Sequence, residues 1–331
     1  MSSVDVIVPC YRYGHFLREC VESVLTQSLE TLRVLILDDA SPDNTAEVAA
    51  ELVKKDARIT YLRHTANRGH INTYNEGIEW ASADYMLILS ADDYLLPGAL
   101  NRAARLMDDH GEVGFTFGEV IELGDIRLAE RPKGVSTSHT SSHWIILPGQ
   151  KFIELSGGRN IVRTPSAVVR TQLQKRLGGY RYDLPHAADM ELWLRFAASA
   201  SVGMLKAYQA VYRRHSGNMS LAYTWLPDLQ QRKAAFDIFF NTYRQNVPDA
   251  RSLRRRLFRS LGCDAISYAS AAFNQGEAAL SEELSAFGIG ISPGIKTSVP
   301  WIKLACKRRL GFKIFSALRP SVPGAARARR V

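Results

Sequence analysis

The sequence predicts an α/β fold with a mostly parallel sheet flanked by helices, followed by a C-terminal helical extension. Three observations carry this expectation. Short runs rich in β-branched and aliphatic residues recur through residues 1–100: Val4–Val8, Arg33–Leu37, Ile59–Arg63 and Tyr85–Leu89. Between them lie stretches with apolar residues at helical spacing, and parallel strands need such crossovers. After Trp225 the text reads as helices alone.

Each element has a local justification. Leu17, Val21, Val24 and Leu25 recur at i, i+4, i+7 and i+8, a helix stripe between the first two strands. Val48, Ala49, Leu52 and Val53 form the next stripe, after the capping residues Ser41 and Asp43. Ile71, Tyr74 and Ile78 mark a third, and Pro97 stands at a further helix start. Beyond Gly111 the pattern is mixed. Val113–Phe117 and Ile161–Val169 read as strands, Met190–Ala198 as a helix, and Val202–Arg214 as one or two strands. Arg127–Gly149, rich in Ser, Thr, His and Gly, reads as a long loop. Trp225–Gln245, Arg251–Phe273 and Glu277–Phe287 read as helices, and Ser292–Pro300 as a linker.

Composition sets the outer limits. The chain has 331 residues, 46% hydrophobic and 23% charged, which is globular rather than disordered. Its net charge of +9 is unevenly placed. Ten basic residues and no acidic one lie between Lys296 and Val331, leaving a nearly neutral body. Four cysteines without a Cys-x-x-Cys pair argue against a zinc site or a disulfide framework, and fit a reducing compartment. The start lacks the basic and apolar segments of a secretory signal, and no apolar run reaches the roughly 18 residues of a membrane span.

The strand ends carry polar and turn-forming residues, where open α/β sheets bind ligands. Pro9 fixes the backbone before Tyr11, which either stacks on a base or packs as a turn tyrosine. Asp38 and Asp39 end the second strand as adjacent carboxylates, able to accept hydrogen bonds from a base or ribose. Asn67-Arg68-Gly69 follows the third. There Gly69 permits a tight turn, and a helix start with Arg68 beside it would face an anion. Asp92 and Asp93 follow the fourth, as oxygen ligands for a hard divalent cation whose shell diphosphate oxygens complete.

These motifs in this order resemble the inverting family 2 glycosyltransferases, which have the GT-A fold. The matching text is Val6-Ile7-Val8-Pro9-Cys10-Tyr11, Ser23, Gln27 and Leu37-Asp38-Asp39-Ala40-Ser41-Pro42-Asp43-Asn44-Thr45, then Asn67-Arg68-Gly69, Asn75-Glu76-Gly77, Leu89-Ser90-Ala91-Asp92-Asp93 and Leu96-Pro97. It covers residues 4–100 strongly and continues more weakly to about residue 220. The resemblance implies a nucleoside diphosphate-sugar donor, with Asp38 and Asp39 at the nucleoside. It also implies that Asp92 and Asp93 hold the diphosphate through Mg²⁺ or Mn²⁺. Ser90 stands where many members have an Asp, and Arg12 where an Asn commonly follows the tyrosine. In Ala187-Ala188-Asp189-Met190-Glu191-Leu192-Trp193-Leu194-Arg195, Asp189 lies where similar enzymes have a catalytic Asp, with Ala188 replacing the usual Glu. Inverting transfer needs one such base for the acceptor hydroxyl. Glu191, two residues on, points away on a helix. His215 lies where similar enzymes place a histidine near the diphosphate or metal. Trp193 reads as core, and Arg213 and Arg214 as a solvated face.

The expected organisation is a nucleotide-sugar half at 1–110, an acceptor-binding and catalytic half at 111–222, a helical extension at 223–295 and a basic tail at 296–331. The acceptor expected is a glycan or a lipid-linked oligosaccharide, and the location cytoplasmic, with peripheral attachment to the inner face of a membrane. Three readings compete for the tail. One is a membrane-surface helix with Trp301, Leu304, Ala305, Phe312 and Phe315 on one side, interrupted by Arg308, Arg319 and Gly311. The others are a solubilising, partly disordered end, or a nucleic-acid contact, for which no motif speaks, so no nucleic acid is expected. Two alternative functions stand beside the enzyme: a catalytically silent nucleotide-sugar-binding protein, and a nucleotidyltransferase. The second would want a glycine-rich, lysine-bearing phosphate loop, which Pro9–Gly14 does not supply.

Overall fold

A computed structural model describes residues 2–124 and 143–312, so most of the Ser/Thr/His-rich stretch and the tail beyond 312 lie outside the described residues. The chain forms two compact units, Met1–Ile153 with Asn160–Ser216, and Glu154–Arg159 with Gly217–Val331.

The first unit begins with β1 (Val4–Cys10), α1 (Gly14–Leu25), β2 (Leu32–Asp38), α2 (Thr45–Lys55), β3 (Ile59–Arg63), α3 (His70–Trp80) and β4 (Tyr85–Ile88). The strands pair in parallel in the order β3-β2-β1-β4. Every residue of β1 is buried, as expected of a strand covered on both faces. Leu17, Val21 and Val24 of α1 and Ala49 and Leu52 of α2 are buried, whereas Val53 is exposed. Asp5 is fully buried inside β1. Its oxygens take two hydrogen bonds from Arg33 and two from the backbone N–H groups of Ser82 and Ala83, which ties the entry of β4 to β1.

The sheet continues with β5 (Tyr94–Leu95), β6 (Val113–Leu123), β7 (Trp144–Leu147), β8 (Val168–Arg170) and β9 (Ser201–Arg213). Their order is β4-β8-β6-β9-β5, with β7 also on β9. Here only β6 and β9 pair in parallel, so the whole is a mixed sheet whose parallel part is the first half. The helices are α4 (Ala99–Asp109), α5 (Gly149–Ser156), α6 (Thr171–Leu177) and α7 (Ala188–Ala197). Two expectations change. Ile161–Val169 is not one strand: Thr164–Ser166 is a 3-10 turn with Pro165 inside it, and the strand starts only at Val168. The end of the expected loop is ordered as β7 and the start of α5.

The second unit is helical: α8 (Leu226–Tyr243), α9 (Ala250–Asn274), α10 (Ala278–Ile291) and α11 (Val299–Leu310). Phe236, Phe239, Leu253, Leu257, Leu261, Ile266, Leu284 and Leu304 are buried in it. Asp264 sits among them and is hydrogen-bonded by Arg159 and Arg232. Burial pushes its carboxyl up, but those two guanidinium groups outweigh the burial and hold it below the usual range. The expected linker Ser292–Pro300 is a 3-10 turn, Pro293–Thr297, followed by the first residues of α11. Ser298 caps that helix by accepting from the backbone N–H of Trp301.

Close approach of α3 to β1 depends on Gly77, where an added Cβ would lie 2.4 Å from Ile7 Cγ2. Gly77→Ala is therefore expected to destabilise the protein by about 1–3 kcal/mol, as overpacking does. Urea unfolding checks this, and an unchanged midpoint would contradict the packing of α3 on β1.

Candidate active site

The strand ends of the first half are joined to one another by their own polar groups. After β1, Arg12 has φ 64°, and after β2, Ala40 has φ 59°, conformations uncommon outside glycine. Hydrogen bonds between the two turns hold them. Arg12 N–H donates to Ser41 Oγ at 3.1 Å, Gly14 N–H to Asp43 Oδ2 at 3.1 Å, and Asp39 N–H to the Cys10 carbonyl at 2.9 Å. Tyr11 is lifted clear of this network. It is 40% exposed rather than packed, with the Arg12 guanidinium 5.7 Å from its ring centre.

Asp38 and Asp39 are both buried. Asp38 accepts from Ser41 N–H at 2.7 Å and Tyr61 Oη at 2.9 Å, and pairs with Arg63 Nε at 3.3 Å. Asp39 accepts from the N–H groups of Arg68 at 2.7 Å and Gly69 at 2.9 Å, and meets His64 Nδ1 at 2.7 Å. The N–H groups of Arg68 and Gly69, which precede the first residue of α3, serve the buried Asp39 carboxylate. The Arg68 guanidinium is likewise turned to Glu76, 2.7 Å away. Asn67 Oδ1 accepts from Gly69 N–H at 3.1 Å, and Gly69, with φ 82°, opens α3.

Asp92 and Asp93 are buried beyond β4, with Arg213 at the end of β9 bridging them. Arg213 gives its backbone N–H to Asp93 Oδ1 at 2.9 Å and its Nη1 to the Asp92 carbonyl at 2.6 Å. Its Nη2 reaches Glu19 at 2.5 Å, and its guanidinium lies 4.8 Å from the Phe16 ring centre and 4.7 Å from that of Tyr94. The expectation of a solvated Arg213 is thus overturned, because Arg213 is buried among acceptors that need it. Arg214 pairs with Glu122 at 3.1 Å. Burial, with the charge of Asp92 added, pushes the Asp93 carboxyl well above the usual range. His215 Nε2 lies 3.1 Å from Asp92 Oδ2, and its ring stacks on Phe16 and meets Tyr13 edge-on.

Asp189 is the second residue of α7, where the helix dipole favours a negative charge. Its Oδ1 accepts from Met190 N–H at 2.7 Å and its Oδ2 from Asn160 Nδ2 at 2.6 Å. Burial raises its pKa, with Met190 N–H, His186 and Asn160 opposing. Glu191 is buried elsewhere and pairs with Arg195 at 2.9 Å. Trp193 stacks on Phe115, centroids 5.2 Å apart, inside the core.

Tyr74 of α3 relates the two halves of the site. Burial raises its pKa, its hydroxyl meets Ser90, and Asp92, Asp189 and Asp93 all act on it. Asn75 beside it fixes the Tyr180 backbone with two hydrogen bonds, and Tyr74 meets the Tyr180 ring edge-on at 5.1 Å. Sequence reasoning missed Tyr74, Asn160 and Arg213 as site residues. Tyr74 sits on an apolar helix stripe, Asn160 in an irregular Gly-Gly-Arg-Asn stretch, and Arg213 beside another arginine.

Residues 5–164 match the family Glycosyl transferase family 2. An uncharacterized protein of Mycobacterium tuberculosis is 29% identical over 219 residues, which is 64% of this chain and 67% of that protein. The uncharacterized glycosyltransferase EpsJ of Bacillus subtilis is 35% identical over 99 residues, 30% of this chain and 28% of its own length. Among solved structures, S. aureus TarS 1-349 has a TM-score of 0.64 at 15% identity, covering 95% of this chain and 89% of that one. The mannosyltransferase PcManGT from Pyrobaculum calidifontis, in complex with GDP-Man and Mn²⁺, has a TM-score of 0.52 at 18% identity and covers 93% and 87%. The fold is GT-A-like, and residues 5–164 carry the similarity to glycosyl transferase family 2.

Proposed function

We propose that the protein is a metal-dependent inverting glycosyltransferase that moves one sugar from a nucleoside diphosphate-sugar to a hydroxyl of a glycan or lipid-linked acceptor. It would serve polysaccharide or glycoconjugate synthesis as a cytoplasmic enzyme attached peripherally to the inner face of a membrane. Among the described residues no helix is long and apolar enough to cross one. The observation that carries the proposal is the position of Tyr74, within electrostatic reach of both the Asp92–Asp93 pair and Asp189. This supports a reading in which the base candidate and the diphosphate-binding candidate serve one site.

In this reading Asp189 takes the proton of the acceptor hydroxyl as its oxygen attacks the anomeric carbon. The bond to the diphosphate oxygen breaks on the opposite face, and the electron pair leaves with the nucleoside diphosphate. Asn160 and the Met190 N–H each take one oxygen of the carboxylate and hold it in place, and a remaining lone pair would take the proton. Asp92 and His215 offer an oxygen and a nitrogen 3.1 Å apart, with Asp93 adjoining. Among the described residues no cluster of three or more His, Cys, Asp and Glu makes a complete protein cage. Two donors suit a divalent ion shared with the substrate, since Mg²⁺ at a diphosphate takes few protein ligands. Mg²⁺ or Mn²⁺ bound there would stabilise the charge on the departing diphosphate. Tyr11 provides an exposed ring for the nucleobase; Pro9, Asp38 and Asp39, with Asn67, Arg68 and Gly69, shape the nucleoside site around it.

Asp189→Asn is expected to lower the transfer rate by about 10²–10⁴-fold while nucleotide binding survives. Steady-state kinetics beside calorimetry check this, and unchanged turnover would remove Asp189 from the mechanism. A base must be ionised, so the rate should rise with pH through the raised pKa of Asp189. The same shift means that the folded state holds this proton more tightly than the unfolded chain. Stability is thus lost as pH rises from the usual carboxylate value to the raised one, and Asp189→Asn should lessen that loss in thermal melts at several pH values. Asp92→Asn should weaken nucleotide binding in the presence of Mn²⁺ by roughly tenfold or more, with little change in its absence. Equal titrations with and without Mn²⁺ would refute the metal role. A silent binder would differ from the enzyme in releasing no nucleoside diphosphate from a nucleotide sugar.

A further inference from the structure

The face of the C-terminal unit that would meet a membrane is opposite to the one a helical wheel selects. Leu304 is buried, so the Trp301–Leu304 side of α11 is turned inward. On that inward half, Arg308 bonds the Ser281 carbonyl and hydroxyl and Ser285 Oγ of α10. Lys307 reaches Ser270 and Asn274 of α9, and Phe312 packs edge-on against Phe273. The outward side carries Val299, Ile302, Cys306 and Leu310 at i, i+3, i+7 and i+11, one continuous helical stripe. Val299 is 62%, Ile302 51% and Leu310 46% exposed. Lys303 and Arg309 flank the stripe and are exposed.

A second basic feature lies on α9. Arg251, Arg255 and Arg259 of α9 recur at i, i+4 and i+8 and are exposed. Arg259 lies within about 20° of Ser270 on the helix, near the face that α11 covers farther along, and Arg255 and Arg251 step away from it by about 40° each. Arg259 Nη1 also reaches the Gly294 carbonyl in the turn that leads to α11. The arginine ridge therefore ends beside the turn that leads into α11, with its side chains exposed.

We infer that this surface, the Val299–Ile302–Leu310 stripe with the Arg251–Arg255–Arg259 ridge, docks on an anionic lipid bilayer. An exposed apolar stripe between cationic side chains is the pattern of a helix lying in a membrane interface. Charge complementarity selects the lipid over a second copy of this chain, because two such basic faces would repel. The inference rests on the peripheral-attachment part of the proposed function and specifies the surface that performs it.

The test is co-sedimentation of the full chain with vesicles of phosphatidylcholine alone, or mixed with phosphatidylglycerol. The wild type should bind only the mixed vesicles. Ile302→Ser with Leu310→Ser should reduce that binding about tenfold or more, since both side chains lose apolar contact. Arg251→Gln with Arg255→Gln should reduce it by up to about 25-fold, at about fivefold per well-placed charge, and added salt should mimic the loss. Leu155→Ser, which removes an exposed apolar residue outside α11, should change nothing. If wild type and the α11 variant bind equally well, this face is wrong while peripheral attachment stands. If the wild type binds neither vesicle, both fall. A wild-type dimer in sedimentation velocity that the α11 variant abolishes would assign the stripe to self-association and overturn the inference.

Discussion

A carboxylate removed from water must be given donors, and the carboxyl-terminal edge of this sheet is arranged around four such groups. Asp38 draws in Ser41, Tyr61 and Arg63; Asp39 draws in Arg68, Gly69 and His64. Asp93 takes the backbone of Arg213, and Asp92 meets His215. Each donor comes from a loop or strand end other than the acid's own, except for the Ser41 N–H. Satisfying the acids is therefore what brings the loops after β2, β3, β4 and β9 into one place. The positive-φ turns at Arg12 and Ala40 belong to the same arrangement, held by Ser41, Asp43 and the Cys10 carbonyl.

Arg213 illustrates how the second half of the first unit joins this edge. It ends β9, whose pairing with β5 places it against Asp92 and Asp93, and it reaches back to Glu19 of α1. One side chain thus spans three segments far apart in sequence. Asn160 plays the matching part for Asp189, arriving from the irregular stretch before β8. Neither residue needs to touch substrate to matter, because both decide where a carboxylate points.

How much of this could be read from the chain alone follows from the kind of signal each residue leaves. The strands and helices of residues 4–100 have clear periodicity because β1, β2 and β4 are buried on both faces and each helix shows one apolar stripe. The strand-end acids were legible as motifs, but their bonding partners were not, because hydrogen bonds across 29 or 120 residues leave no local pattern. Pro165 explains the shortened β8, and β7 was hidden because Trp144–Leu147 is only four residues long. The α11 wheel could not show the packed side, because Arg308 and Lys307 turn inward to hydroxyls and an amide supplied by α9 and α10.

The electrostatics of the candidate site also bear on what its ligand must bring. Asp93 takes the backbone N–H of Arg213, whose guanidinium meets the Asp92 carbonyl, and burial pushes the Asp93 carboxyl toward its neutral form. A diphosphate placed beside this pair would add negative charge where the Arg213 guanidinium is already engaged with the Asp92 carbonyl and Glu19. Coulomb repulsion at such distances is large unless a further positive charge intervenes. In the proposed function, a divalent cation bound with the donor would supply that charge. The surplus of the basic C-terminal stretch cannot do this work through Lys307 and Arg308, whose groups are already engaged with α9 and α10. Charge at the strand-end carboxylates is thus balanced by groups of the sheet edge, while Lys307 and Arg308 serve the packing of α11 on α9 and α10.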